Sequence, residues 1–159
     1  MESLKIKMLD KNLTRIGGDI EGEWYDLRLS SVKKVNGEEY EGRGEEGDVL
    51  SYNKGDVLLL GLGVAIEPPR GYEVILAQRS STFKNYGFLL TNGIGVGDNT
   101  YRGEYMVMVY CTRDGEITYN DRFIQFRIQK QQPKVNIEFV DELTDTERGE
   151  GGFGSTGVR

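Results

Sequence analysis

The brevity of its apolar segments constrains this chain most. They recur at residues 6–9, 24–29, 57–62, 72–76, 88–90, 105–110, 123–128 and 135–140. Several alternate, as Val135, Ile137 and Phe139 do against Asn136 and Glu138, which is the period of a strand with one wet face. Asn36-Gly37, Asn92-Gly93 and Asp114-Gly115 separate them as turn signals. No stretch keeps a helical apolar period over three turns. The one helix candidate runs from Ser81 to Tyr86, with a serine at its start and Gly87 where a left-handed cap belongs. The pattern is all-β and predicts a jelly roll or related barrel. At 159 residues it is one domain, with a barrel over residues 1–140 and a C-terminal arm over 141–159. The arm turns acidic and then Gly-rich, so it cannot form a core by itself.

Composition removes whole classes of chemistry. There is no histidine, which excludes Ser-His and Cys-His catalysis and most catalytic zinc sites. The single cysteine, Cys111, ends an apolar run and reads as a buried reduced thiol. A net charge of −6 argues against non-specific nucleic-acid binding, although a few converging arginines still suit one phosphate ligand. The longest apolar run, 57–66, is broken by Gly61 and Gly63 and falls short of a membrane span. The N-terminus opens with an acid and lacks an apolar signal core, so a soluble, cytoplasmic protein is expected. The acidic, Gly-rich segment 38–48 reads as a solvated loop, and it offers a contact surface to a protein partner.

Five stretches carry chemistry. Trp24-Tyr25-Asp26-Leu27 sets one carboxylate in an apolar strand, where Asp26 otherwise simply faces water. Ala77-Gln78-Arg79-Ser80-Ser81 places an arginine and two hydroxyls where a strand meets the short helix, a phosphate cradle or an ordinary cap. The run from Asn92 to Glu104 holds four glycines, Gly95 among them, that allow a hairpin to approach a planar ligand. Plain turn chemistry accounts for those glycines but not for Asp98 and Tyr101, three apart beside them. Asp121-Arg122-Phe123-Ile124-Gln125 puts Gln125 in an apolar strand, where a bonded buried glutamine is the simpler reading. The end, Arg148-Gly149-Glu150-Gly151-Gly152-Phe153-Gly154-Ser155-Thr156-Gly157, is not a Walker loop, having no lysine. It is either a floppy terminus or a tail that stacks on a base and grips phosphate.

In this order and spacing the five stretches resemble the motifs of the trimeric dUTPase family, and the likeness runs through nearly the whole chain. The resemblance implies hydrolysis of dUTP to dUMP and pyrophosphate, an activity that limits uracil in DNA and supplies dUMP. It makes Asp98 the base that orients and deprotonates the attacking water. Tyr101 would pack under deoxyribose, and Asn92 with the Gly95 backbone would read uracil. Arg79, Ser80, Ser81 and Gln125 fall on phosphate-contacting positions. Asp26 would meet a Mg²⁺-bound triphosphate, through water. Arg148, Ser155 and Thr156 would grip the terminal phosphates, Phe153 would cover the base, and Gly154 would lend the tail mobility. A homotrimer is implied, each site drawing on three chains.

The chain departs from the family pattern at Gly97, where a bulky aliphatic is usual, and at Thr100, where a second acid is common. Asn120 stands for a glycine, Phe123-Ile124 for a smaller pair, and 38–48 looks like an insertion. Two rivals remain. A dCTP deaminase needs a glutamate in the strand after the hairpin, where this chain has 105–110 without an acid. A catalytically weak binding or regulatory protein on the same scaffold is the other.

Overall fold

The computed structural model describes residues 2–17 and 23–158, with residues 41–43 in backbone only. In chain order the strands are β1 (Lys5–Met8), β2 (Tyr25–Arg28), β3 (Ser31–Val35), β4 (Glu38–Arg43), β5 (Val49–Tyr52), β6 (Val57–Gly61) and β7 (Val64–Glu67). They continue as β8 (Tyr72–Gln78), then helix α1 (Thr82–Tyr86), β9 (Phe88–Leu90), β10 (Gly95–Gly97), β11 (Met106–Cys111), β12 (Gly115–Thr118) and β13 (Arg122–Lys130). The all-β expectation holds. The strands form separate sheets rather than one closed barrel: β4-β3-β6-β11-β9, β10-β8-β13-β2, and the pairs β1-β7 and β12-β5. This is a jelly-roll-like layering in which every ladder is antiparallel.

The two larger sheets bury one face each. In β11, Val107, Val109 and Cys111 point inward while Met106, Met108 and Tyr110 point out, the period of two expected of a half-buried strand. Phe88, Phe123, Phe126, Leu27, Leu58 and Leu60 are almost wholly buried. Phe88 sits edge-on to Phe123 at 6.1 Å between ring centroids and 4.8 Å from Tyr52. A register shift in the β13–β2 ladder between Arg122 and Ile124 lets the consecutive Phe123 and Ile124 both face inward. The large pair at 123–124 therefore fills the core beneath the sheet. Cys111 is fully buried, and that burial, then the Asp56 charge, pushes its thiol up to about 12, as a reduced structural thiol should behave.

Three expectations change. Residues 135–140 form no strand: Val135, Ile137 and Phe139 are exposed, because within one chain no free sheet edge meets them. The last strand ends at Lys130, so the extended arm begins before residue 141. The segment 38–48 is half strand, since β4 pairs with β3 and only residues 44–48 remain as loop. Ser81 precedes α1 as expected, but its side chain caps nothing. Thr82 holds that corner instead, its hydroxyl accepting from the Arg79 amide at 2.9 Å and donating to the Phe123 carbonyl at 2.6 Å. Gly87 ends the helix at φ 68° with its amide on the Phe83 carbonyl, the left-handed cap foreseen. Among the described residues no helix is long and apolar enough to cross a membrane.

Candidate active site

Adjacent strands of the four-stranded sheet bring Asp26, Gln125 and Ala77 into one row. Beside that row, where β8 gives way to α1, Arg79 reaches back to Asp26. Its Nε lies 2.8 Å from Asp26 Oδ1, and Arg122 Nη1 lies 3.2 Å from Oδ2. Arg28 joins them through a 2.7 Å bond from Nη1 to the Asn120 carbonyl. Burial first, then the neighbouring Arg122, pulls Arg28 below the ordinary arginine range. These side chains, with Ser80 and Gln125, line a cavity of about 580 Å³. With Arg15 and Glu23 also in its lining, four guanidiniums against two carboxylates make it a basic pocket in an acidic chain, the balance that a polyanion needs. Gln125 is tied by Nε2 to the Gln78 carbonyl at 2.9 Å, and Ser81 takes a long 3.4 Å bond from Arg79.

Asn120 explains itself here. It adopts φ 70°, a left-handed conformation that asparagine tolerates. Its side chain clasps Thr14 with two 3.0 Å bonds, tying the N-terminal loop to this wall.

A second cavity, about 240 Å³, is lined by Asn92, Gly95, Gly97, Asp98, Tyr101 and Tyr105, among others. The stretch 92–104 is not a self-paired hairpin: β9 joins β11, and β10 joins the edge of β8. Asn99 pins the following loop, its amide donating to the carbonyls of Pro69 at 2.9 Å and Tyr72 at 2.8 Å. Asp98 is exposed, and no described residue hydrogen-bonds or ion-pairs with its carboxylate. The Tyr101 hydroxyl donates to the Glu104 carbonyl at 2.7 Å, which fixes its ring. Gly103 makes that possible, since a Cβ there would stand 2.6 Å from the hydroxyl. Gly103→Ala is therefore expected to swing Tyr101 away and raise KM for a substrate held in this cavity roughly tenfold, with the melting temperature little changed. Steady-state kinetics beside a thermal melt check this.

The two cavities do not merge within one chain. Asp98 follows β10 at one edge of the sheet, while Asp26 lies on β2 at the other. Three strand spacings separate those strands, about 14 Å in all. The tail joins neither cavity. Its hydrogen bonds are local turns, such as Arg148 Nε to the Gly151 carbonyl at 2.7 Å, and Phe153, Gly154, Ser155 and Thr156 are exposed. For a metal, no three His, Cys, Asp or Glu side chains converge among the described residues. Both Asp26 oxygens already meet arginines, so a cation fits there only through water and through a ligand's own oxygens.

Comparison with known proteins bears on this arrangement. The dUTPase family model matches residues 49–157. The SPbeta prophage-derived deoxyuridine 5'-triphosphate nucleotidohydrolase YosS of Bacillus subtilis is 38% identical over 159 residues, covering 98% of this chain and 99% of the relative. The chain belongs to the dUTPase family. The deoxyuridine 5'-triphosphate nucleotidohydrolase of Finegoldia magna is a further dUTPase relative, 34% identical over 82% of this chain and 99% of its own. The fold matches a mutant dUTPase of Staphylococcus bacteriophage 80alpha, solved with dUpNHpp, at TM-score 0.75 and 18% identity over 99% of this chain and 100% of that one. A mutant dUTPase of phage phi11 of S. aureus, solved with a structural Mg(II) ion, matches at TM-score 0.67 and 14% identity over 88% of this chain and 97% of that one.

Among the residues of this dUTPase, sequence reasoning passed over Arg28, Arg122 as a charge, Gly103 and Tyr105. Arg28 carried a signal, a cation two positions from Asp26 in an apolar run. Tyr105 carried none, since it reads as one more core aromatic.

Proposed function

We propose that this chain hydrolyses dUTP to dUMP and pyrophosphate in a site shared between copies, with Asp98 as the base. The observation that carries this reading is the unengaged Asp98 carboxylate beside Tyr101, at a cavity of nucleoside size. In the reaction, water attacks the α-phosphorus in line with the bridging oxygen to the β-phosphate. Asp98 takes the water's proton, the α–β bond breaks, and pyrophosphate leaves with the bond's electron pair. The Tyr101 ring, fixed by its bond to Glu104, lies where a ribose 2′-hydroxyl would need room. Asn92 and the Gly95 backbone read the base. Arg79, Arg122, Arg28, Ser80, Ser81 and Gln125 hold and balance the phosphates. Mg²⁺ would suit this donor set: a ligand's phosphate oxygens and, through water, Asp26 would hold it, and it would neutralise triphosphate charge. Arg148, Ser155 and Thr156 close on the outer phosphates, and Phe153 on the base.

The geometry supports sharing. Asp98 and its own chain's arginine pocket lie at opposite edges of the sheet, which supports a site in which another copy's pocket adjoins Asp98. The outward stripe of Met106, Met108 and Tyr110 on β11, with Leu89 on β9, is an apolar face of the kind that copies bury. A homotrimer, with each copy lending a different part, accommodates both half-sites and the free tail.

Pyrophosphate release measured with Mg²⁺ across dUTP, dTTP, dCTP and UTP is the test, with light scattering for mass. Turnover of dUTP alone by a particle of three copies is expected. Comparable turnover of UTP, or ammonia release from dCTP, overturns the reading.

A further inference from the structure

Tyr105 precedes β11 and is 3% exposed, yet its hydroxyl has no hydrogen-bond partner among the described residues. A buried hydroxyl without a partner costs stability, and a phenylalanine would fill the same space without that cost. The hydroxyl lies hard against the backbone just before Asp98: a Cβ on Gly97 would stand 2.1 Å from it and 2.7 Å from the ring. The phenol thus occupies the volume in which a side chain at 97 would sit. Its ring meets Tyr101 edge-on, 5.4 Å between centroids and 73° between planes. Both tyrosines and Asp98 line the same cavity.

The charged neighbours leave this hydroxyl to Asp98. Glu104 is drawn the other way, its carboxylate accepting from the Gly63 amide at 3.1 Å and pairing with Lys33 at 2.7 Å. Arg102 is spent on the Asn99 and Tyr101 carbonyls and on Glu67. The Tyr101 hydroxyl is committed to the Glu104 carbonyl. Burial, then Tyr101, pushes the Tyr105 phenol up to about 12, so it keeps its proton and remains a donor at neutral pH.

We propose that Tyr105 is a positioning residue for the catalytic base: its ring takes the place of a side chain at 97, and its hydroxyl donates to the Asp98 carboxylate or to the water that Asp98 activates when nucleotide is bound. The inference rests on the reading of Asp98 as the base. Glycine at 97 and tyrosine at 105 then form one device.

Tyr105→Phe removes the hydroxyl and keeps the ring. Its kcat on dUTP is expected to fall roughly tenfold, the scale of one hydrogen bond to a charged group. Binding of a non-hydrolysable imido analogue of dUTP stays unchanged, and the melting temperature stays level or rises. The acid limb of the pH–rate profile moves to higher pH, because a carboxylate that loses a donor is protonated more readily. Gly97→Ala, which drives the phenol off its seat, should reproduce the kcat loss and the displaced limb with analogue binding retained. Wild-type kcat and an unmoved acid limb in Tyr105→Phe would overturn the inference, as would weaker analogue binding at unchanged kcat, which places the hydroxyl on the nucleotide. If the unmodified protein releases no pyrophosphate from dUTP, the functional reading itself falls; if it does and Tyr105→Phe matches it, only this inference falls.

Discussion

Asp98→Asn lowers pyrophosphate release by roughly 10²- to 10⁴-fold, the usual worth of a positioned general base, while the variant still folds and binds nucleotide. The geometry isolates the effect. The loop that carries Asp98 is held by the Asn99 amide on Pro69 and Tyr72 and by the Tyr101 amide on the Asp98 carbonyl at 3.0 Å. None of these bonds uses the Asp98 carboxylate. An amide of the same shape therefore removes the charge and the proton acceptor and leaves the loop in place. Single-turnover pyrophosphate release, read beside calorimetric binding of the imido analogue, separates the two consequences. Wild-type turnover by the variant would move the base to another residue, and lost binding at normal stability would make Asp98 a ligand group instead.

Much of this molecule was legible in its sequence, and the parts that were not share a cause. Short apolar runs predicted β8, β11 and β13, and Gly87 after the helix candidate predicted the end of α1. These are local properties of the chain. The strand expected at 135–140 alternates apolar with polar residues, yet alternation specifies a strand only where a partner edge exists. Likewise β4 hid in an acidic, Gly-rich segment because its ladder to β3, rather than its own composition, makes it a strand. In the site, Arg79, Asp26 and Gln125 share one wall, but Asp98 and the tail lie elsewhere. Spacing along one chain says which groups are present, not which chain supplies each. Gly97 departs from the family pattern in sequence, and the Tyr105 phenol that fills the space of a side chain there is visible only across the turn.

Removing residues 148–159 lowers kcat/KM for dUTP roughly a hundredfold without lowering the melting temperature of the remainder. The stability half of this result follows from contacts. The hydrogen bonds of residues 146–157 stay within the segment, among them Gly149 to Thr146, Ser155 to Gly152 and Gly157 to Gly154, so the core loses no bond with the tail. The activity half follows from what the tail otherwise wastes. Phe153 holds a fully exposed ring at φ 50°, flanked by Gly152 and Gly154, and Arg148 lies five residues before it. On the proposed reading, a ring and a cation so placed gain burial and a charge partner by closing over a ligand that offers a flat base at one end and phosphates at the other. Such closure would also exclude water other than the attacking one and complete the alignment, so the loss of the lid would fall on the chemical step as well as on binding. Point variants divide the two contributions: Phe153→Ala should weaken binding of the deoxyuridine moiety, and Arg148→Ala should reduce the preference for triphosphate over monophosphate. A truncated protein that hydrolyses dUTP at the full rate would show that the tail covers something other than its own substrate.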